Sequence, residues 1–141
     1  NRDFDKTEIK REGYYDLEIV DTLLSKSSDT ELFPITFMFI RVRMGDRYFS
    51  RDAIFRIMDF IKGSMGKNHV TAELSKGYFV VIMYKTDLAA AEKTREEMLS
   101  KWEAFSKGAE LETVLREVVS TENPRNTFYH EKDRLLDLAN W

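Results

Sequence analysis

The chain lacks several of the residue types on which active sites commonly depend. Its 141 residues include no cysteine and two histidines, His69 and His130. The absence of cysteine excludes disulfides, thiolate zinc sites and cysteine nucleophiles, and it fits a cytoplasmic protein. Neither histidine belongs to a group of His, Asp and Glu residues at metal-ligand spacing. We therefore expect no metal site and no cofactor.

Two further features are missing. The formal net charge is −3, whereas nucleic-acid binders usually carry a strong positive excess, so we expect no nucleic-acid partner. No apolar run approaches the roughly 20 residues of a membrane-spanning helix, so we expect no membrane insertion by this segment. Residues 62–67 contain glycines and lysines, but not in the order of a phosphate-binding P-loop.

The composition is that of a folded domain. Hydrophobic residues make up 43% of the chain and charged residues 33%, and 141 residues suffice for one domain with a substantial core. Residues 1–13 are charged and lack a clear period, so we interpret them as a linker or lead-in. We interpret residues 14–141 as a single domain, and we expect it to be part of a longer protein.

The strongest pattern predicts a hairpin over residues 69–84, HVTAELSKGYFVVIMY. Its first half alternates apolar and polar residues, as a half-buried strand does. Ser-Lys-Gly at residues 75–77 supplies the turn, where Gly77 can take the positive φ that hairpin turns require. Residues 78–84 are apolar throughout, which is typical of a strand covered on both faces. We therefore predict that residues 80–83 form the central, best protected strand.

Helix and strand patterns precede the hairpin. Residues 14–25 and 54–61 place apolar residues at helical spacing, and Ser50 is a suitable N-cap for the second of these helices. Between them, residues 32–44 alternate as a strand does. Pro34 lies near the start of that strand, where a missing N–H is tolerated.

Two more helices are predicted after the hairpin. A long helix runs from about residue 86 to about residue 107, and a closing helix covers residues 128–141 after a break at Asn123 and Pro124. Spacing leaves residues 110–121 open between strand and helix. The inner face of the long helix is predicted to consist of Leu88, Ala91, Met98, Leu99, Trp102 and Phe105. Helices covering a mainly antiparallel sheet make an α+β protein.

This order, with a tight hairpin at its centre, resembles the GGDEF domain of diguanylate cyclases, a nucleotide-cyclase-type fold. The resemblance covers roughly residues 7–141 and rests on layout and apolar pattern. LSKGYFVVIMYKTDLAAAEK is similar to the family's signature hairpin and the next helix, and TFMFIRVRM to its first core strand. The GGDEF fold has a strand between its last two helices, so we predict a strand at residues 110–121. Its valines favour the same choice.

The residues that carry the family's chemistry differ here. Arg41 and Arg43 stand where the first core strand normally ends in Asp-x-Asp. Only the final phenylalanine of the Gly-Gly-Asp-Glu-Phe signature matches, because its positions hold Ser75, Lys76, Gly77, Tyr78 and Phe79. Diguanylate cyclases join two GTP molecules with Mg²⁺ that carboxylates of the strand and the hairpin hold. The resemblance thus implies a retained fold and no catalytic residues.

The function that the resemblance implies is a catalytically inactive, degenerate GGDEF-like domain. It would act as a regulatory or protein-interaction module in bacterial cyclic-dinucleotide signalling. Its partners would be other domains of the same protein or a separate protein, and a homodimer is an open option. Two alternatives also stay open, namely a metal-independent receptor for a nucleotide or cyclic di-GMP and a weak residual nucleotide hydrolase.

Arg41, Arg43 and Lys76 are the candidate anion-binding residues of the receptor alternative. The competing interpretation is a solvated strand end and an ordinary charged turn. Residues 41 and 43 share one face of a strand, so their guanidinium groups repel each other unless an anion lies between them. We predict an internal salt bridge, with Glu73 and Asp46 as the candidate partners, in preference to an external anion.

Overall fold

The structure, a computed structural model, describes residues 15–26, 30–43, 50–66, 69–75, 77–105 and 109–137. The predicted lead-in at residues 1–13, and also Asp46 and Lys76, lie outside the described residues. In chain order the elements are β1 (Tyr15–Asp16), α1 (Leu17–Ser25), a 3₁₀ helix (Thr30–Leu32), β2 (Ile35–Arg43), α2 (Arg51–Ser64), β3 (His69–Ser75), β4 (Tyr78–Met83), α3 (Leu88–Phe105), β5 (Glu110–Val118) and α4 (Pro124–Asp137).

The strands form one sheet in the order β1-β3-β4-β2-β5. β1 runs parallel to β3, and the pairs β3–β4, β4–β2 and β2–β5 are antiparallel. β4 is the middle strand, and all of its residues are buried, as its unbroken apolar sequence predicts. The predicted α+β architecture with a mainly antiparallel sheet is confirmed.

Helices cover both faces of the sheet. On one face, α2 and α3 pack on alternate residues of the central strands, in a core built from Met38, Ile40, Val42, Phe79, Val81, Met83, Ile54, Ile57, Met58, Ile61, Ala91, Met98 and Trp102. On the other face, α1 and α4 cover a second core that contains Val20, Leu24, Ile35, Phe37, Phe39, Ala72, Tyr78, Val80, Ile82, Val118, Phe128 and Leu135. The alternation of strand side chains therefore supplies two cores from one sheet.

A polar contact joins the two helices of the second face. Tyr129 in α4 donates a hydrogen bond from Oη to Oδ1 of Asp21 in α1, over 2.9 Å. The Nε of Arg125 donates to the same oxygen over 2.7 Å. The bond from Tyr129, and then that from Arg125, hold the pKa of Asp21 below its usual value. Asp21 therefore stays ionised and ties together helices that are far apart in sequence.

The second half of the chain confirms one prediction and corrects another. Residues 110–118 form strand β5, so the predicted strand is confirmed, although it ends before residue 121. The closing helix begins at Pro124 and not at residue 128. Asn123 accepts a hydrogen bond through Oδ1 from the backbone N of Asn126, over 3.0 Å, as an N-cap does. Proline is well tolerated at the first helical position, so the predicted break is a helix start.

Two helices differ from the pattern predicted for them. Tyr15 belongs to β1, and Asp16 caps α1, so the helix starts later than predicted. Within the predicted stripe, Val20 and Leu24 are buried, but Ile19 is exposed. In α3, Ala91, Met98 and Trp102 are buried as predicted, whereas Leu88 and Phe105 at its two ends are exposed.

Candidate functional site

The positions that carry the family's chemistry meet at one end of the sheet. Arg41 lies opposite Tyr78 of β4 on one side and opposite Glu112 of β5 on the other. The backbone N of Val42 donates to the carbonyl of Gly77 in the hairpin turn, over 2.8 Å. The end of β2 is therefore tied directly to the turn. We call this region the signature end of the sheet, defined by Arg41, Arg43 and residues 75–79.

Arg41 and Arg43 share one carboxylate at the signature end. Nη1 of Arg43 lies 3.0 Å from Oε2 of Glu112, and Nε of Arg41 lies 4.0 Å from Oε1 of the same carboxylate. The side chains of Arg41, Glu112 and Arg43 are 24%, 34% and 48% exposed. The carboxylate of Glu112 thus relieves the repulsion between the two guanidinium groups, which both face it.

The prediction that Glu73 pairs with Arg41 and Arg43 is wrong. Glu73 lies on β3, with β4 between it and β2, and it points to the face covered by α2. Glu112 lies directly opposite Arg41 on the same face, and cross-strand pairs are the contacts that a sheet favours. The arginine pair therefore forms an internal salt bridge, but the carboxylate belongs to β5 and not to β3.

Arg51 binds Glu73 instead. Its Nη1 donates a hydrogen bond to Oε2 of Glu73 over 3.2 Å, and its Nη2 donates to Oε1 over 3.0 Å, so the contact is bidentate. The guanidinium also lies 5.3 Å from the ring centre of Phe55. Arg51 is in the first turn of α2, whose N-cap is Ser50 as predicted. The pair links the start of α2 to the strand that enters the hairpin.

The hairpin has the positive φ of a tight turn, and the first two side chains after Gly77 are buried. Gly77 has φ of 76°, as the sequence predicts for this turn. Tyr78 is buried among the second-face residues, and Phe79 is buried on the first face. Burial, and then the negative charge of Asp133 in α4, raise the pKa of Tyr78 well above its usual value. Tyr78 is therefore a neutral core residue.

The donor set at the signature end does not fit Mg²⁺, which prefers hard oxygen ligands. Of the described carboxylates nearby, Glu112 and Glu73 are held by arginines, and Glu110 lies opposite Arg43. Among the described residues, no three His, Asp or Glu side chains converge as a metal site requires. The chemistry that these residues can support is the binding of an anion, since two guanidinium groups lie on one face at the end of β2.

Sequence reasoning missed Glu112 and Arg51. Glu112 could have been found by aligning the predicted strand at residues 110–121 against β2, because an acid two residues from its start would then face the arginines. Arg51 belongs to a crowded run of arginines, and nothing in its spacing separates it from its neighbours. Of the predicted anion-binding residues, Arg41 and Arg43 come together, while Lys76 lies outside the described residues.

A separate cleft lies at the opposite end of the sheet. It has a volume of about 540 Å³ and is open to solvent, and its walls are Leu24, Ser25, Phe33, Ser120, Thr121, Glu122, Asn123, Pro124 and Arg125. Its charged groups are already paired, Arg125 with Asp21 and Glu122 with Arg116. The cleft therefore contains none of the predicted site residues, and it adds no free charge that would select a ligand.

Comparison with solved structures identifies the fold. The GGDEF domain of FimX from Pseudomonas aeruginosa superposes with a TM-score of 0.72 at 14% identity, covering 89% of this chain and 88% of that one. The GGDEF domain of PA1120 (YfiN or TpbB) from the same organism gives 0.68 at 15% identity, covering 88% of each chain. The diguanylate cyclase SiaD of P. aeruginosa, in complex with its activator SiaC, gives 0.67 at 11% identity, covering 89% of this chain and 55% of that one.

The chain therefore has the fold of a GGDEF domain, as the order of its elements predicts. No protein-family model and no curated protein sequence matches it. The identities to the solved structures are low, so the agreement concerns the path of the backbone. No helix within the described residues is long and apolar enough to cross a membrane.

Proposed function

We propose that this chain is a GGDEF-fold module without diguanylate cyclase activity, which serves as a regulatory and protein-interaction domain in cyclic-dinucleotide signalling. The fold places it among domains that include cyclases. Among the described residues, no carboxylate stands at positions 41, 43, 77 and 78, and Glu112 is bound by arginines, so the Mg²⁺-dependent reaction lacks the oxygen ligands it needs. What remains useful is a three-layered scaffold with charged and apolar surface.

One observation carries this proposal. At the end of the first core strand, Arg41 and Arg43 flank Glu112 in an ion-pair group. A divalent cation placed there would meet two guanidinium groups, and the carboxylate of Glu112 is already bound by them. The hairpin adds no replacement ligand, because Gly77 has no side chain and the hydroxyl of Tyr78 is buried.

The proposal is tested by assaying the purified chain with GTP and either Mg²⁺ or Mn²⁺, with cyclic di-GMP measured by mass spectrometry. We expect no more product than in a sample without protein. A competent diguanylate cyclase run in parallel establishes that the assay detects turnover, and a cooperative melting curve establishes that the chain is folded. Product clearly above the no-protein sample would overturn the proposal.

A second candidate is a metal-independent receptor for a nucleotide or cyclic di-GMP. The observation in its favour is the pair of guanidinium groups on one face of β2 at the signature end, with Arg43 nearly half exposed. Phosphate oxygens are suited to such a pair.

Two variants with opposite charge effects decide whether the signature end binds an anion. If the receptor alternative holds, Glu112→Gln tightens nucleotide binding without Mg²⁺, because it frees both guanidinium groups. Changing both Arg41 and Arg43 to alanine abolishes the binding. Arg56→Ala, on the exposed side of α2, is the matched control and leaves it unchanged. Calorimetry with GTP, ATP and cyclic di-GMP measures these affinities, and tight binding that survives the double change excludes this site.

The partner of the module is proposed to be another domain of the same protein or a separate protein. SiaD, which has the same fold, is crystallised with an activator protein, and this precedent makes a protein partner a natural choice. A homodimer is the further option. We also propose a cytoplasmic location, for which the cysteine-free composition is the support.

A further inference from the structure

The outer edge of the sheet at β5 is long, and no other described strand pairs with it. β5 has nine residues and pairs with β2 without a break, from Val118 opposite Ile35 to Glu110 opposite Arg43. Edge strands usually avoid pairing with other chains by being short, or by carrying a proline or a bulge. β1, at the other edge, has only two residues. β5 is fully described and has no proline and no register shift along β2.

Half-buried apolar side chains line this edge on both faces. Leu111 and Leu115 pack at the margin of the first core, and Val114 packs at the margin of the second. Each of them remains partly accessible, and within the part of the chain that the structure describes no strand lies beyond β5. A strand added along β5 would complete the burial of these side chains, which is a favourable contribution to association.

We infer that β5 is a homodimer contact, in which the β5 strands of two copies pair antiparallel about a two-fold axis at Thr113. In this register Leu111 of each copy lies opposite Leu115 of the other, so the two half-buried leucines cover each other. Glu110 lies opposite Arg116, which gives two ion pairs of opposite charge. The sheets of both copies, five strands each, then form one continuous sheet.

The charges on β5 favour this register. The guanidinium of Arg116 is held near the edge by Glu122 and Glu131, at 3.1 Å and 3.5 Å. A hydrogen bond from the backbone N of Val119, together with Arg116, lowers the pKa of Glu122, so that carboxylate stays ionised. Glu110 is exposed at the start of β5 and belongs to no ion pair among the described residues. Two-fold pairing gives it a cationic partner.

The neighbouring register, with its axis at Val114, is less favourable. It would place Glu117 opposite Leu111 and Glu110 opposite Val118, so that two carboxylates face apolar side chains, whereas the register at Thr113 does this only for Glu112 and Val114. It would also leave Leu111 and Leu115 without each other. Only the register centred on Thr113 matches leucine with leucine and acid with base.

This inference rests on the interaction role proposed above and names the surface for it, while its test measures association only. Sedimentation equilibrium of the chain between about 1 μM and 1 mM is expected to show a reversible dimer, since a single pair of strands makes a small interface. Glu110→Arg places arginine opposite arginine twice and is expected to weaken the dimer at least about tenfold. Glu92→Arg makes the same charge change on exposed α3 and is expected to have no effect.

The position of the axis is tested by crosslinking, which is simple in a chain without cysteine. Thr113→Cys puts a thiol next to its own copy across the axis, at a separation that a disulfide spans, so a linked dimer is expected in a glutathione redox buffer. Glu117→Cys lies on the same face, but its two copies would be ~27 Å apart, so it should stay unlinked.

Three results would overturn the inference. The first is that the chain stays monomeric at about 1 mM, a concentration that matches the Kd of the weakest dimer expected here. The second is a dimer that Glu110→Arg and Glu92→Arg affect equally. The third is preferential linking through Val114→Cys, which would move the axis by one residue. None of these results bears on cyclase activity, so the failure of the interface and the failure of the proposed function can be told apart.

Discussion

Replacing Val81 by aspartate is expected to unfold the domain. Val81 has no solvent exposure and lies in β4 between Met38 of β2 and Thr71 of β3, under the helices α2 and α3. The change removes apolar burial worth about 1.5–3 kcal/mol and adds an unpaired carboxylate to the core. The sum is comparable to the roughly 5–15 kcal/mol by which a domain is stable. Circular dichroism during heating should show no cooperative transition.

Matched variants separate this effect from a general sensitivity to charge. Ala89→Asp adds the same charge on the exposed first turn of α3, near the positive end of the helix dipole, and is expected to leave the melting temperature unchanged. Val81→Ala is expected to fold with a loss of about 2 kcal/mol. If Val81→Asp melted within a few degrees of the original chain, β4 could not be the central strand.

The hairpin and the fold class could be predicted from sequence because their signals are local. Seven consecutive apolar residues after a glycine turn leave little choice other than a buried strand, and the turn needs Gly77 for its positive φ. The strand at residues 110–118 needed the resemblance, since its spacing allowed a helix equally well. Local period therefore determines the elements, and the family pattern resolved the one ambiguous segment.

The partners at the signature end could not be predicted in the same way, because they depend on strand order. Glu73 is close to the turn in sequence, while Glu112 is about seventy residues from Arg43, yet β5 rather than β3 is the neighbour of β2. Side-chain exposure at the helix ends, as at Phe105, depends likewise on which elements pack beside them in the fold. Both depend on how the layers assemble, so the hydrophobic period of a single segment cannot predict them.

The position of α4 over the second face rests on one aromatic cluster. Phe128 has no solvent exposure, and its ring centre lies 5.6 Å from that of Phe37 and 5.8 Å from that of Phe39. Tyr129 adds a third contact at 5.2 Å. Such pairs contribute beyond the area that they bury. Phe128 is thus the residue through which the last helix is fixed to β2, far from it in sequence.

Phe128→Ala is therefore expected to destabilise the domain by about 3–5 kcal/mol, because it removes a buried ring and leaves a cavity against β2. Urea unfolding followed by tryptophan fluorescence measures the loss as a lower midpoint with an unchanged slope. His130→Ala, two residues further along α4 and exposed, is the control and should shift the midpoint by less than about 0.5 kcal/mol. Equal midpoints for the two variants would mean that α4 does not pack on the sheet through Phe128. The second core would then end at α1, and Tyr78 would be open to solvent at the signature end.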